Sequence, residues 1–136
     1  MCLSMNEFSE NFLKLVENNW PKWKGIAKPV GEYFEFEVSS PEDNELKLTI
    51  DTDEDEVTIG FGYYHCHWDG LGFESVEDEW EDVIQFIDGI VNNNIIVVSW
   101  FKESKWCGSS WVKAGEIYTP DCAYDELVYQ SWFGGT

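Results

Sequence analysis

The sequence predicts an α+β domain: a mostly antiparallel sheet of about five to six strands, with two helices packed on one face. Three observations carry this. Period-two segments follow one another between residues 34 and 61, one long run at helical spacing covers residues 75 to 91, and the apolar run Ile95-Ile96-Val97-Val98 comes directly after it. Strands, then a helix, then strands, behind a leading helix, place helices over one side of an antiparallel sheet. At 136 residues the chain reads as a single domain, residues 1–136, with no internal repeat and no linker composition.

Ser4 with Glu7 three residues on spells a capping box, in which each side chain satisfies a backbone donor, so the first helix should start there. Met5, Phe8, Phe12, Leu15 and Val16 then share one side, while Glu10, Lys14 and Glu17 face water. Asn18-Asn19 before Trp20-Pro21 stops the helix. The stretch from Trp20 to Gly31 is broken by prolines and glycines and is the chain's only locally basic segment; it reads as an ordered connection pinned by Trp20 and Trp23.

Three alternating segments follow. Phe34, Phe36 and Val38 alternate with Glu35 and Glu37, Leu46, Leu48 and Ile50 with Lys47 and Thr49, and Val57, Ile59 and Phe61 with Thr58 and Gly60. With turn-rich residues between them they make an antiparallel meander, one face buried and the other acidic. Like charges opposite one another across strands are unfavourable, so Glu35, Glu37 and the cluster from Asp51 to Glu56 cost stability unless solvent or a partner screens them. The third strand runs on into Tyr63-Tyr64-His65-Cys66-His67-Trp68-Asp69. Gly60 and Gly62 mark a bulge or a close backbone approach. Without a bulge, His65 and His67 share the inward side with Ile59 and Phe61; with one, they turn outward.

Ser75 is placed as the N-cap of the second helix, and Glu77, Asp78 and Glu79 complement its dipole. Val76, Trp80, Val83, Ile84, Ile87, Ile90 and Val91 form its apolar stripe, which ends at Asn92-Asn93-Asn94. The run from Ile95 to Phe101 is apolar on both faces and reads as a central strand. Residues 105–113 and 126–133 are further strands joined by a loop over 115–124, and Gly134-Gly135-Thr136 is a frayed tail.

The formal net charge is −19, from 27 acidic residues against 8 basic ones, and all the basic ones are lysines. A phosphate backbone would repel such a chain, which excludes nucleic acid as the partner; the same field speeds encounter with a basic protein. Cys2, Cys66, Cys107 and Cys122 show neither CxxC pairing nor a compact framework. The first residues lack a basic then apolar leader, and no run reaches membrane-spanning length, so the expectation is a cytoplasmic protein with reduced thiols and no membrane partner.

Both histidines of the chain lie in one short stretch. His65, His67 and Asp69 alternate, and in an extended segment two imidazoles and a carboxylate on one side are a legitimate open metal site. A metal-dependent enzyme using these three is therefore the alternative to a binding function. The spelling is similar to the HxHxDH signature of metallo-β-lactamase-like hydrolases, but position 70 is glycine and no third histidine exists. Cys66 faces away from its histidine neighbours and has no base beside it. No GxSxG, P-loop or dinucleotide fingerprint is present, and carboxylates are too abundant for any catalytic pair to be singled out. The expectation is no catalytic residue, no cofactor and no bound metal.

Phe61-Gly62, then His65-Cys66-His67-Trp68-Asp69, then a helix with an acidic start and Ile/Val spacing, then Ile95 to Trp100, resembles the small immunity proteins encoded beside bacterial polymorphic toxins. The likeness covers Val57 to Phe101. It implies a non-enzymatic cytoplasmic protein that neutralises a cognate toxin domain by covering its active site or its target surface. Tyr63, Tyr64, Trp68 and Trp106 are residue types that dominate interface hot spots, with core packing as the competing role for Tyr64 and Trp68. Trp80, Trp100 and Phe101 read as core. The expected partner-binding set is Tyr64, His65, His67, Trp68 and Asp69, with Asp53, Asp55, Glu77 and Asp78 as carboxylates facing a basic toxin.

Overall fold

In a computed structural model describing residues 5–134, the first helix, α1 (Glu7–Asn19), is opened by Asn6, whose side chain accepts the Ser9 N–H at 2.8 Å. Asn caps a helix as well as Ser does, so the start falls at Asn6. Ser4 of the expected capping box, Cys2 and the end of the expected frayed tail lie outside the described residues. Phe12 and Val16 are fully buried, and Trp20 stacks on Trp23 at 4.9 Å across a short 3-10 turn at Pro21–Trp23.

The predicted meander forms a five-stranded antiparallel sheet in the order β1 (Lys28–Val30), β2 (Tyr33–Ser39), β3 (Lys47–Asp53), β4 (Glu56–Phe61) and β5 (Tyr64–Trp68). The three residues of β1, one of them proline, are too short a run to show alternation and had no sequence signal. Phe34, Phe36, Leu48, Ile50, Val57, Ile59 and Phe61 all point to one side and are buried there against Phe12, Val16 and the second helix, α2 (Val76–Val91). Both helices thus cover one face of an antiparallel sheet, as the patterning predicts. One polar pair crosses this layer: Ser9 Oγ and Thr52 Oγ1 share a hydrogen bond of 2.6 Å with both residues buried, which satisfies groups that would otherwise be costly to bury.

α2 begins as the sequence predicts, with Ser75 Oγ accepting the Asp78 N–H at 3.2 Å. Asn92 caps its end, and Asn93, with a positive φ of 62°, then turns the chain toward the next strand. Gly89 is buried in its last turns; a Cβ there would lie 2.5 Å from the Ile95 side chain, so only glycine lets the helix approach the strand so closely.

The remaining strands make a second, three-stranded antiparallel sheet in the order β7-β6-β8, with β6 (Ile95–Lys102) between β7 (Lys105–Lys113) and β8 (Glu126–Gln130). β6 is buried from Ile95 to Ser99, which is why its sequence is apolar without alternation. Ile95 and Val97 join the main core, while on the opposite side Trp100 stacks on Tyr118 of the β7–β8 loop at 5.3 Å. Trp80, Trp100 and Phe101, expected in the core, are only half-buried.

The two faces of the large sheet predict opposite responses to mutation. Ile50→Ala should lower unfolding stability by about 2–5 kcal/mol, the usual cost of an emptied core site. Glu37→Ala, on the outer side of the neighbouring strand, should leave the urea midpoint nearly unchanged.

Candidate functional site

The strand expected to run unbroken from Val57 through the histidines is a hairpin. Gly62, at φ 59°, and Tyr63 reverse the chain between β4 and β5, and glycine at the first turn position is what a type II′ hairpin requires. The register follows: Phe61 pairs with Tyr64, Ile59 with Cys66, Thr58 with His67 and Gly60 with His65. Paired residues share a face, so Tyr64, Cys66 and Trp68 turn inward and His65 and His67 turn out. A tight reversal, and not a bulge, decides the side.

The expected binding set is therefore divided. Tyr64 packs on Phe86 at 6.2 Å and sits beside the Cys66 thiol; burial first, and the thiol second, push its phenol up to about 12. Trp68 is buried and donates its indole N–H to Asp82 Oδ2 at 2.9 Å. Tyr64, by contrast, is half-buried. Asp53 and Asp55 are exposed at the β3–β4 turn, Asp69 is exposed beyond the end of β5, and Glu77 and Asp78 are exposed in the first turn of α2. Of the four aromatics weighed for binding, Tyr63 and Trp106 are the exposed ones.

His65 and His67 are exposed on the outer face of the large sheet, which no other element covers among the described residues. A row in register crosses all five strands, Lys28, Glu35, Asp51, Thr58 and His67. Glu35 directly opposes Asp51, whose carboxyl is held above its ordinary value by burial and then by Glu35, with His67 acting the other way. His67 Nδ1 lies 2.9 Å from Glu56 Oε1 and 2.7 Å from Thr58 Oγ1, and the His65 ring stands edge-on to it at 5.3 Å. Gly60 lies between Thr49 and His65, and a Cβ there would meet Thr49 Oγ1 at 2.5 Å, so the middle of this face stays low. Glu37 pairs with Lys47 at 3.1 Å on the same side. The face is a shallow acidic platform with two imidazoles at one edge.

The metal trio does not assemble. His67 shares its ring nitrogen with Glu56 and Thr58, and Asp69 lies past the strand end with Oδ1 accepting the Leu71 N–H at 3.0 Å. Among the described residues no three His, Cys, Asp or Glu side chains gather as a metal ion would need. Cys66 is half-buried on the opposite side of β5 from both histidines.

A second acidic feature, absent from the sequence reading, lies where α2 begins. The loop after β5, turning through Gly70 and Gly72 with φ of 90° and 87°, brings Asp69 and Glu74 beside Asp55 and Glu79 around a cleft of about 550 Å³. Glu79 is only 2% exposed, and its Oε2 has no hydrogen-bond partner. Burial raises its pKa and Asp69 adds to the rise, while the Gly70 N–H partly offsets both. Nearby, Trp80 packs on Phe8 and Phe12 at 5.4 and 5.3 Å, and its indole N–H also lacks a partner. In the sequence Glu79 reads, with Glu77 and Asp78, as an acid that complements the helix dipole. Its spacing held the clue: Glu79, Val83, Ile87 and Ile90 fall on one helical face, and that face is the buried one.

No family model, no curated protein and no solved structure matches the chain. No helix of the described residues is long and apolar enough to cross a membrane.

Glu79 sets a pH-dependent outcome. A raised folded pKa means that the native state holds this proton more tightly than the unfolded chain. Stability from the site is then full below the ordinary value of 4.5 and is lost as pH rises through the folded value. Glu79→Gln should raise the thermal midpoint at pH 7, and scans at decreasing pH should show that gain shrinking and disappearing below 4.5.

Proposed function

We propose that this chain is an immunity protein: in the cytosol it binds one cognate, basic toxin domain and neutralises it by covering the toxin's active site or target surface. The observation that carries the reading is the uncovered outer face of the five-stranded sheet, where Glu35, Glu37, Asp51, Asp53 and Glu56 outweigh Lys28 and Lys47. A flat acidic face is a poor place to enclose a small substrate and a good one to meet a basic surface. Opposed like charges such as Glu35 and Asp51 destabilise the free chain and are relieved when a cationic partner arrives.

Two further features support it. The whole chain carries a net charge of −19, so its field accelerates encounter with a positively charged protein. Exposed Tyr63 and Trp106 stand at the hairpin end, Tyr63 edge-on to Phe101 at 5.3 Å and Trp106 donating to Ser109 Oγ at 2.9 Å, so both rings are pre-positioned as anchors. The resemblance of the stretch from Val57 to Phe101 to immunity proteins of polymorphic toxins supplies the class of partner.

The test is co-expression with the toxin domain encoded by the adjacent reading frame. Growth should be restored, and the purified pair should run as a one-to-one complex. The double variant Glu35→Lys, Asp51→Lys should associate roughly tenfold or more slowly at low ionic strength, the difference closing as salt is added. Equal association rates would remove the acidic platform from the account; no rescue and no complex would remove the immunity reading.

A further inference from the structure

The cleft at the start of α2 holds what the outer platform lacks, a buried acceptor with nothing to accept from. Glu79 Oε2 is buried and meets no donor within hydrogen-bond distance, an unfavourable condition for a charged group that a bound cation or donor would relieve. Every charged side chain lining the cleft is acidic, Asp55, Asp69, Glu74 and Glu79, and none of the four enters an ion pair among the described residues. Phe8 and Phe73 contribute aromatic walls. Val76, 41% exposed at the first position of α2, adds apolar surface to the lining.

This is not a metal's environment, since no three of these carboxylates converge on one point. It has the composition that recognises an organic cation, with carboxylates for the charge and aromatic surfaces for a cation–π contact. Between the two biological cations, guanidinium fits better than ammonium. Its planar fork binds a carboxylate through two parallel N–H groups, it stacks on aromatic rings, and it is more weakly hydrated and so cheaper to desolvate. We infer that the cleft is the receptor for an arginine side chain presented by the protein partner, with Glu79 as the innermost acceptor and Asp55 and Asp69 at the mouth. That the arginine comes from a toxin rests on the function proposed above; the cleft's affinity for the group does not.

The experiment therefore uses the free group. The full chain, isotopically labelled, is titrated with arginine amide and, separately, with lysine amide at constant ionic strength. Arginine amide should produce saturable shifts at the Gly70 and Glu79 amides and the Trp80 indole, and should bind more tightly than lysine amide. Glu79→Gln should weaken it roughly tenfold or more while leaving signals of β6 unmoved. Asp69→Asn should weaken it less, and serves as the second variant should the first perturb folding. Linear, unsaturated shifts, or an affinity unaltered in both variants, would overturn the inference. Growth rescue with the toxin reads the immunity proposal independently, so each can fail alone.

Discussion

The two-residue reversal at Gly62 and Tyr63 decides what the chain shows to solvent and what it keeps. Because Phe61 must pair with Tyr64, every side chain from Tyr64 to Trp68 has its side assigned by one turn. The turn is also held from outside its own sheet. Gln130 Oε1 accepts the Tyr63 N–H at 3.0 Å, Ser109 Oγ donates to the Tyr63 carbonyl at 3.3 Å, and Trp132 packs on Phe61 at 6.1 Å. A side chain at position 62 would displace the Gln130 amide from the turn, and the φ of 59° favours glycine there in any case. The hairpin tip is where the second sheet is fastened to the first.

Charge is arranged around that scaffold in two different ways. On the outer face Glu35, Glu37 and Asp53 are exposed and Asp51 and Glu56 half-buried, so their mutual repulsion is largely softened by water and salt. At the start of α2 the same residue type is driven into a low-dielectric cleft, where repulsion is not screened and one oxygen is left without a donor. The exposed array suits long-range attraction and fast encounter, the buried one a specific short-range contact. A single acidic composition thus supplies both steering and a point of recognition, and composition alone does not reveal the division.

The α+β class, the meander, α2 with its Ser75 cap and the buried β6 were legible because each rests on a periodicity local to its own residues. What was not legible depends on distant partners. β1 exists only because β2 offers it a ladder. The strands after Ile95 separate from the first sheet because β6 packs beside α2 at Gly89. The side taken by His65 and His67 turned on whether Gly62 bends the strand or reverses it, and glycine permits either. Tyr64 and Trp68 look like interface residues by type, yet Phe86 of α2 and Asp82 claim them. Glu79 was hidden by its company: beside Glu77 and Asp78 it reads as one more surface acid, and only its place on the helical face tells it apart.

The fastening of the hairpin tip by β8 has a bearing on how the molecule is made. Gln130 lies 67 residues beyond Tyr63, so the clasp cannot close until those residues have been made. Until β8 emerges, β6 has one neighbour and a bare flank, and the apolar run from Ile95 to Val98 waits with unmatched backbone groups. The nascent polypeptide therefore passes through an interval in which its stickiest strand is open, and its many carboxylates, by keeping neighbouring copies apart, guard that interval.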